Sequence, residues 1–322
     1  MTAPKDRNNQ FDLFIPLMRD LSLKDQRETM ERPFFSLQKR KRLKPIEYKS
    51  ADGEVTVKVE AMPAYGMATI WDADILIWAT SALNRMKAEG RNDVPRTLHV
   101  TAYDLLRTIQ RDTGGKGYAD LKAALDRLAT TSIHTSIRRP RKGHDARFSW
   151  LDEWGVETDG QGNPVALRIV LSNWVWEGIM NEKAVLTMHP DYFQISGGLE
   201  RIIYRIARKH AGDQDDGWTC RVSLLHEKSG SDSAPKEFAR MLRKIVEAND
   251  LPEYDMAYTT AGDGSQAVRF IRRSVVERIQ VQAELEAETA TRVRREREDR
   301  RAVEVDGLIE PWTKRRVVRD DD

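Results

Sequence analysis

One order of elements, written twice along the chain, restricts the fold more than any single residue does. Thr97-Leu98-His99-Val100 alternates like a short strand, and Thr101 is placed to cap a helix running through Ile109. Asp112-Thr113-Gly114-Gly115 is a turn, and residues 119–130 form a second helix with Leu121, Ala124, Leu125 and Leu128 on one side. Residues 133–137 and 148–150 then read as the two strands of a hairpin. A helix over 69–87 precedes the whole, its apolar residues falling at three- and four-residue steps. The order returns from Gly198. An amphipathic helix (198–211) leads to a strand (218–222), and Ser223 caps a short helix through Lys228. Ser233 caps a long helix to Ala248, with Pro235 tolerated in its first turn. A last hairpin, 254–259 with 267–273, turns at Ala261-Gly262-Asp263-Gly264. Helix, strand, helix, turn, helix, hairpin is the order of a winged helix-turn-helix.

The expected fold class is therefore α+β, with two tandem winged helix-turn-helix domains. The boundaries read as a flexible N-terminal arm (1–32), a first domain (33–183) for assembly and accessory DNA contacts, a second domain (184–274) as the main DNA reader, and a charged tail (275–322), helical or disordered. The first domain holds an extra hairpin turning at Asp159-Gly160-Gln161-Gly162-Asn163, with Val165, Leu167 and Ile169 alternating on its return strand. An exposed edge of that kind can pair with a copy of itself. The expectation is a homodimer, in the unbound or repressor form, joined through this strand at Leu167.

Charge bounds the function. Lys and Arg number 53 against 51 Asp and Glu, for a net charge of +2, so any nucleic-acid footprint must be local. Cys220 is the only cysteine, which excludes an internal disulfide and a Cys-based zinc site and suits a reducing cytoplasm. The N-terminal residues show no apolar run after a basic start. The apolar window at 70–82 is short and broken by Asp72 and Asp74, so no membrane is expected.

Basic residues concentrate in three places. On the helix from Ser233, Lys236, Arg240, Arg243 and Lys244 share one face, opposite Phe238, Met241, Leu242, Ile245 and Val246. As the second helix of a helix-turn-helix, that face would enter a major groove, with Arg269 and Arg273 on the adjoining wing. The plainer alternative is a solvated amphipathic helix, which Glu237 and Glu247 would suit. In the first domain the second helix is mixed, with Lys122, Ala123, Asp126 and Arg127 outward. The basic groups sit on the hairpin instead, at Arg138, Arg139, Arg141, Lys142 and Arg147, where phosphate and minor-groove contact competes with a solvated loop. Lys39, Arg40, Lys41, Arg42 and Lys44 form a third cluster, open to the same two readings.

Enzyme motifs fail. Gly114-Gly115-Lys116-Gly117 lacks the leading glycine of a phosphate loop and has Gly117 where Ser or Thr should bind magnesium. No paired-histidine metal motif occurs, and His189-Pro190-Asp191 supplies a single histidine. No catalytic residue, metal or cofactor is expected.

The stretches PFFSLQKRKRLKPIEY and YGMATIWDADILIWATSAL, with SLLHEKSGS and PKEFARMLRKI later, resemble the replication initiator protein A family of alphaproteobacterial plasmids. The resemblance covers about residues 33–273. It implies two winged-helix domains that bind repeated duplex sites at a plasmid origin. It also implies help in opening an adjacent AT-rich segment, recruitment of the host initiator ATPase and replicative helicase, and dimers that repress their own promoter. A transcriptional repressor built from the same modules is the alternative.

Overall fold

The computed structural model describes residues 21–91, 93–138 and 146–314. The described residues up to Ile271 form one compact unit, and those from Arg272 form a second.

The first unit is mixed α/β around one continuous apolar core running from Leu23 to Phe270. Its central helix, α2 (Ala73–Ala88), is buried on nearly every side from Ala73 to Leu83. Such a helix needs small residues and internal partners for its hydroxyls. Ser81 meets this by donating to the Ile77 carbonyl at 2.6 Å and accepting the Lys24 N–H at 2.7 Å. Lys24 begins β1 (Lys24–Gln26), which runs into α1 (Arg27–Met30) and pairs antiparallel with β9 (Val185–Thr187). Residues 21–32 of the N-terminal arm expected to be loose are thus packed into the fold, with Asp25, Gln26, Thr29 and Met30 buried. Its mixed charges looked solvated because their partners lie far along the chain. Asp25 pairs with Arg205 at 2.7 Å, and Glu31 meets His210 at 2.7 Å and Lys228 at 3.1 Å.

Burial alone would raise the Glu31 carboxyl. The His210 hydrogen bond and the charges of Lys228, Arg32 and Lys209 outweigh it and hold the group well below the usual 4.5. A depressed carboxylate stabilises the fold fully above its unfolded value and loses that contribution as pH falls through the folded one. Glu31→Gln should therefore lower the thermal midpoint at neutral pH. The gap from wild type should close as pH drops below 4.5, as thermal melts across pH would show.

The strand–helix–helix–hairpin order is present in both halves, but the first half uses a different hairpin from the one expected. β4 (Thr97–Val100) is followed by α3 (Ala102–Thr108), whose cap Thr101 accepts the Asp104 N–H at 2.9 Å, and by α4 (Gly115–Thr130). α4 starts four residues earlier than its apolar period announced. Gly117 permits this, because a Cβ there would fall 1.8 Å from the Asp112 carbonyl oxygen. The glycine run is thus the N-cap and first turn of α4, with Gly117 packed closely against Asp112.

β5 (Ser132–Thr135) does not pair with β4. With β6 (Ala146–Phe148) it extends a four-stranded sheet begun by β2 (Ile46–Lys49) and β3 (Thr56–Glu60), in the order β2-β3-β5-β6. Apolar register selects the pairing: Ile46, Val59, Ile133 and Phe148 lie opposite one another across the four strands. β4 instead joins β7 (Leu151–Thr158) and β8 (Pro164–Leu171) in the order β4-β8-β7, with Leu98 opposite Ile169 and Val100 opposite Leu167. β8 is therefore central and paired on both sides. Leu167 is core, only 7% exposed, which corrects the expectation of a self-pairing edge there.

The second half follows its expected order closely. α5 (Asn173–Met180) and β9 lead into α6 (Gly198–His210), β10 (Trp218–Arg221), α7 (Val222–Ser229), α8 (Pro235–Ala248), β11 (Tyr254–Thr260) and β12 (Gln266–Arg272). The sheet runs β10-β12-β11, with Trp218 opposite Phe270 and Cys220 opposite Val268. Two buried ion pairs tie α6 to the first half. Arg205 meets Asp25, and Arg201 meets Asp74 at 2.6 Å.

In the second unit, Arg273–Lys314 is a single helix, α9. Val275 is buried, whereas every side chain from Glu277 to Glu298 is exposed. Side chains 281–298 are exposed, so truncation after residue 280 should leave the thermal midpoint within about 1–2 °C of wild type. A calorimetric scan of the truncated chain checks this.

Candidate nucleic-acid interface

α8 owes its position to its apolar side. Phe238 and Leu242 are fully buried, with Ile245 and Val246 nearly so. Phe238 stacks on His226 of α7 at 4.5 Å, and the Tyr258 hydroxyl of β11 donates to the Ala239 carbonyl at 3.3 Å. Packed this way against α7 and the hairpin, the helix turns its other side outward. Lys236, Arg240, Arg243 and Lys244 are all exposed.

The four cations are not equally free. Arg240 makes a bidentate pair with Glu237, at 2.8 and 2.6 Å, with 57% of its side chain exposed. The hydrogen bond from Arg240 holds the Glu237 carboxyl below its usual range. The Arg243 guanidinium lies over the Tyr258 ring at 5.6 Å, a contact that stiffens an otherwise exposed side chain. Arg269 is exposed on β12 opposite Thr219. Arg273 falls on the first residue of α9 rather than on the hairpin. The hairpin tip is acidic, with Asp263 paired to Arg221 at 2.8 Å.

The basic stretch of the first half is divided. Arg138 turns inward, which corrects its reading as a phosphate contact. Its guanidinium donates to the Trp174 carbonyl at 2.7 Å, meets Glu28 at 2.9 Å and lies 3.7 Å from the centre of the Trp174 ring. A cation with those partners is a fastener between α1, α5 and the hairpin. Arg139, Arg141 and Lys142 lie outside the described residues. Arg147 is exposed on β6, in one row with His134 and Lys58.

Between α4 and the β7–β8 hairpin of the first half, Tyr103, Tyr118, Val156 and Val165 are 41–52% exposed and line a groove with Leu121 and Leu125. Residue spacing reveals the mixed charge of α4 but not this apolar surface, which needs α4 and the β7–β8 hairpin side by side. His189, the single histidine of the His-Pro-Asp stretch, accepts the Asp191 N–H at 3.2 Å as a helix cap. Among the described residues no group of three His, Cys, Asp or Glu side chains could hold a metal ion, and no helix is long and apolar enough to cross a membrane.

Residues 24–256 match the model of the family described as Replication initiator protein A. The chain belongs to that family. It is similar to a putative replication protein of Wigglesworthia glossinidia brevipalpis. The two are 32% identical over 246 residues, covering 75% of this chain and 87% of the relative. Among solved structures it resembles domains 2 and 3 of RctB, with a TM-score of 0.54 and 12% identity, over 75% of this chain and 95% of that one. A second structure of RctB domains 2–3 gives a TM-score of 0.50 at 13% identity, covering 77% and 97%. At such low identity the likeness concerns the fold alone. The family match takes in all of β4 to β8 and continues through α8 into β11, so the exposed cations of α8 lie within the matched body of this initiator and α9 lies outside it.

Proposed function

We propose that this replication initiator binds repeated duplex sites at a plasmid origin and that α8 reads them. Two winged helix-turn-helix modules carry the activity. One is built from β4, α3, α4, β7 and β8, the other from β10, α7, α8, β11 and β12. The observation that supports this most is the set of four exposed cations on α8, opposite an apolar face that fixes the helix to its module. A major groove admits one helix, and Arg or Lys there reaches guanine edges or phosphates. Lys236, Arg240, Arg243 and Lys244 are the proposed readers, Arg269 on the adjoining hairpin is a further contact, and Arg139, Arg141 and Lys142 are accessory contacts. Opening of the origin and recruitment of the host ATPase and helicase follow binding, in the cytoplasm where plasmid DNA lies. No step is covalent.

The first module serves assembly in this reading. Its exposed Tyr103, Tyr118, Val156 and Val165 support a homodimer in the unbound form. Val156→Arg should then give monomers by sedimentation while single-site binding survives. A footprint on DNA flanking the gene tests the whole reading. Direct repeats protected in a salt-sensitive manner are the expected result. A lone palindrome at a promoter would make the chain a repressor, and no protection would remove DNA binding.

A further inference from the structure

The cluster at Lys39, Arg40, Lys41, Arg42 and Lys44 plays no part in that reading, yet the structure carries it to the entrance of α8. Arg42 is buried. Its Nε donates to the Lys44 carbonyl at 3.1 Å, and its Nη1 donates to the Gly230 carbonyl at 2.8 Å. Gln38 Nε2 donates to Asp232 Oδ1 at 2.6 Å. Gly230 and Asp232 both belong to the turn that joins α7 to α8. Pro33 closes on the same turn, since a Cβ built on Gly230 would come within 2.4 Å of the Pro33 Cβ. A loop distant in sequence is thereby fastened to the start of the helix that presents Lys236 and Arg240.

The other four cations of the loop point to a role. Lys39, Arg40, Lys41 and Lys44 are exposed. Their contacts are with neutral groups. Arg40 donates to Gln38 Oε1 at 2.7 Å, Lys41 donates to the Ala64 carbonyl at 2.6 Å, and Lys39 Nζ lies 5.2 Å from the centre of the Trp71 ring. Among the described residues none of the four forms an ion pair with a carboxylate. The acid beside the loop, Asp232, is engaged by Gln38. Four uncompensated charges on one short loop repel one another, and the buried Arg42 anchor fixes them in place against that repulsion. An arrangement of this kind is stabilised when a polyanion supplies the missing counter-charge.

We propose that Lys39, Arg40, Lys41 and Lys44 form a phosphate-gripping arm that holds the DNA backbone beside the groove entered by α8, with Arg42 as the positioning residue that ties the arm to the helix. This rests on the reading of α8 as the DNA-reading helix. Backbone contacts set register and affinity and carry no base information, so the arm and the helix have separable signatures. The arm supplies affinity for every sequence and a share of the salt dependence. The helix supplies the preference for one sequence.

The test measures fluorescence anisotropy of the full chain on a random-sequence duplex and on a duplex from the DNA flanking the gene. Replacing Lys39, Arg40, Lys41 and Lys44 together by Ala should weaken binding to both duplexes alike, by ~10-fold or more. The log–log salt slope should become shallower by about two to four units. The ratio between the two duplexes should not change. Arg42→Ala should lower affinity on both, in the same direction and with less loss of slope. A charge-preserving control, Lys39→Arg with Lys41→Arg and Lys44→Arg, should bind like wild type. Wild-type affinity and slope in the fourfold Ala variant would overturn the arm and leave the α8 reading intact. Loss of binding in the charge-preserving control would also overturn it, since shape rather than charge would then be responsible. A wild-type chain with no salt-dependent DNA binding would fail the α8 reading itself.

Discussion

Asp74→Ala is expected to cost about 3–5 kcal/mol of folding stability, a large fraction of the total by which a folded chain is favoured. The Asp74 carboxylate is fully buried on α2 between two guanidinium groups, Arg201 and Arg111, each at 2.6 Å. Arg111 is one-third exposed and can turn to water. Arg201 cannot, because only 2% of its side chain is accessible. Its remaining bonds go to the Ile195 and Phe193 carbonyls, at 2.7 and 2.9 Å. Without Asp74 the Arg201 charge stays buried with two neutral acceptors and no counter-ion. Such a group loses far more than the intact pair contributes, since the pair's attraction is already offset by desolvation. Denaturant unfolding measures the loss. The double variant Asp74→Ala, Arg201→Met should recover part of it, because the uncompensated charge goes with the arginine. A double variant no better than Asp74→Ala would mean that the cavity, not the charge, accounts for the effect.

Arg240→Ala and Arg243→Ala should each weaken specific DNA binding by about 1–3 kcal/mol, roughly 5- to 150-fold. The two differ in how they start. Arg243 is held over Tyr258 and stays exposed, so it meets a base with little further ordering. Arg240 must first leave Glu237. Glu237→Ala should therefore raise affinity for all DNA, by freeing Arg240 and removing a repelling charge. Competition of labelled site against random duplex separates the outcomes. A lowered specificity ratio marks a base reader, whereas an unchanged ratio in both variants would make the two arginines backbone contacts only.

Local features were legible from the sequence because their causes are local. The apolar period of α8 settles which side packs, and the structure begins the helix at Pro235, two residues after the Ser233 cap inferred from residue type. The Thr101 cap, the β4 strand and the α7–α8 turn were all visible, since a cap or turn depends on residues close to it in the chain. The candidate site was legible to the same extent. The four α8 cations could be placed on one face from spacing alone.

Pairing and partnership were not legible. β4 could have joined either following hairpin, because both offer alternating apolar residues. The choice fell to β8 through the match of Leu98 and Val100 with Ile169 and Leu167, far along the chain. Arg138 looked like its basic neighbours, and only the tertiary structure brings Glu28, Gln26 and Trp174 around it. The loop at Lys39–Lys44 was a charge count until Arg42 met Gly230. The sequence by itself determined which segments are helix or strand and which faces are apolar, since these follow from backbone geometry at short range. Which strands pair, which charges are consumed inside the fold and which remain to meet a partner were decided by the tertiary structure, because burial and counter-charge come from residues distant in the chain.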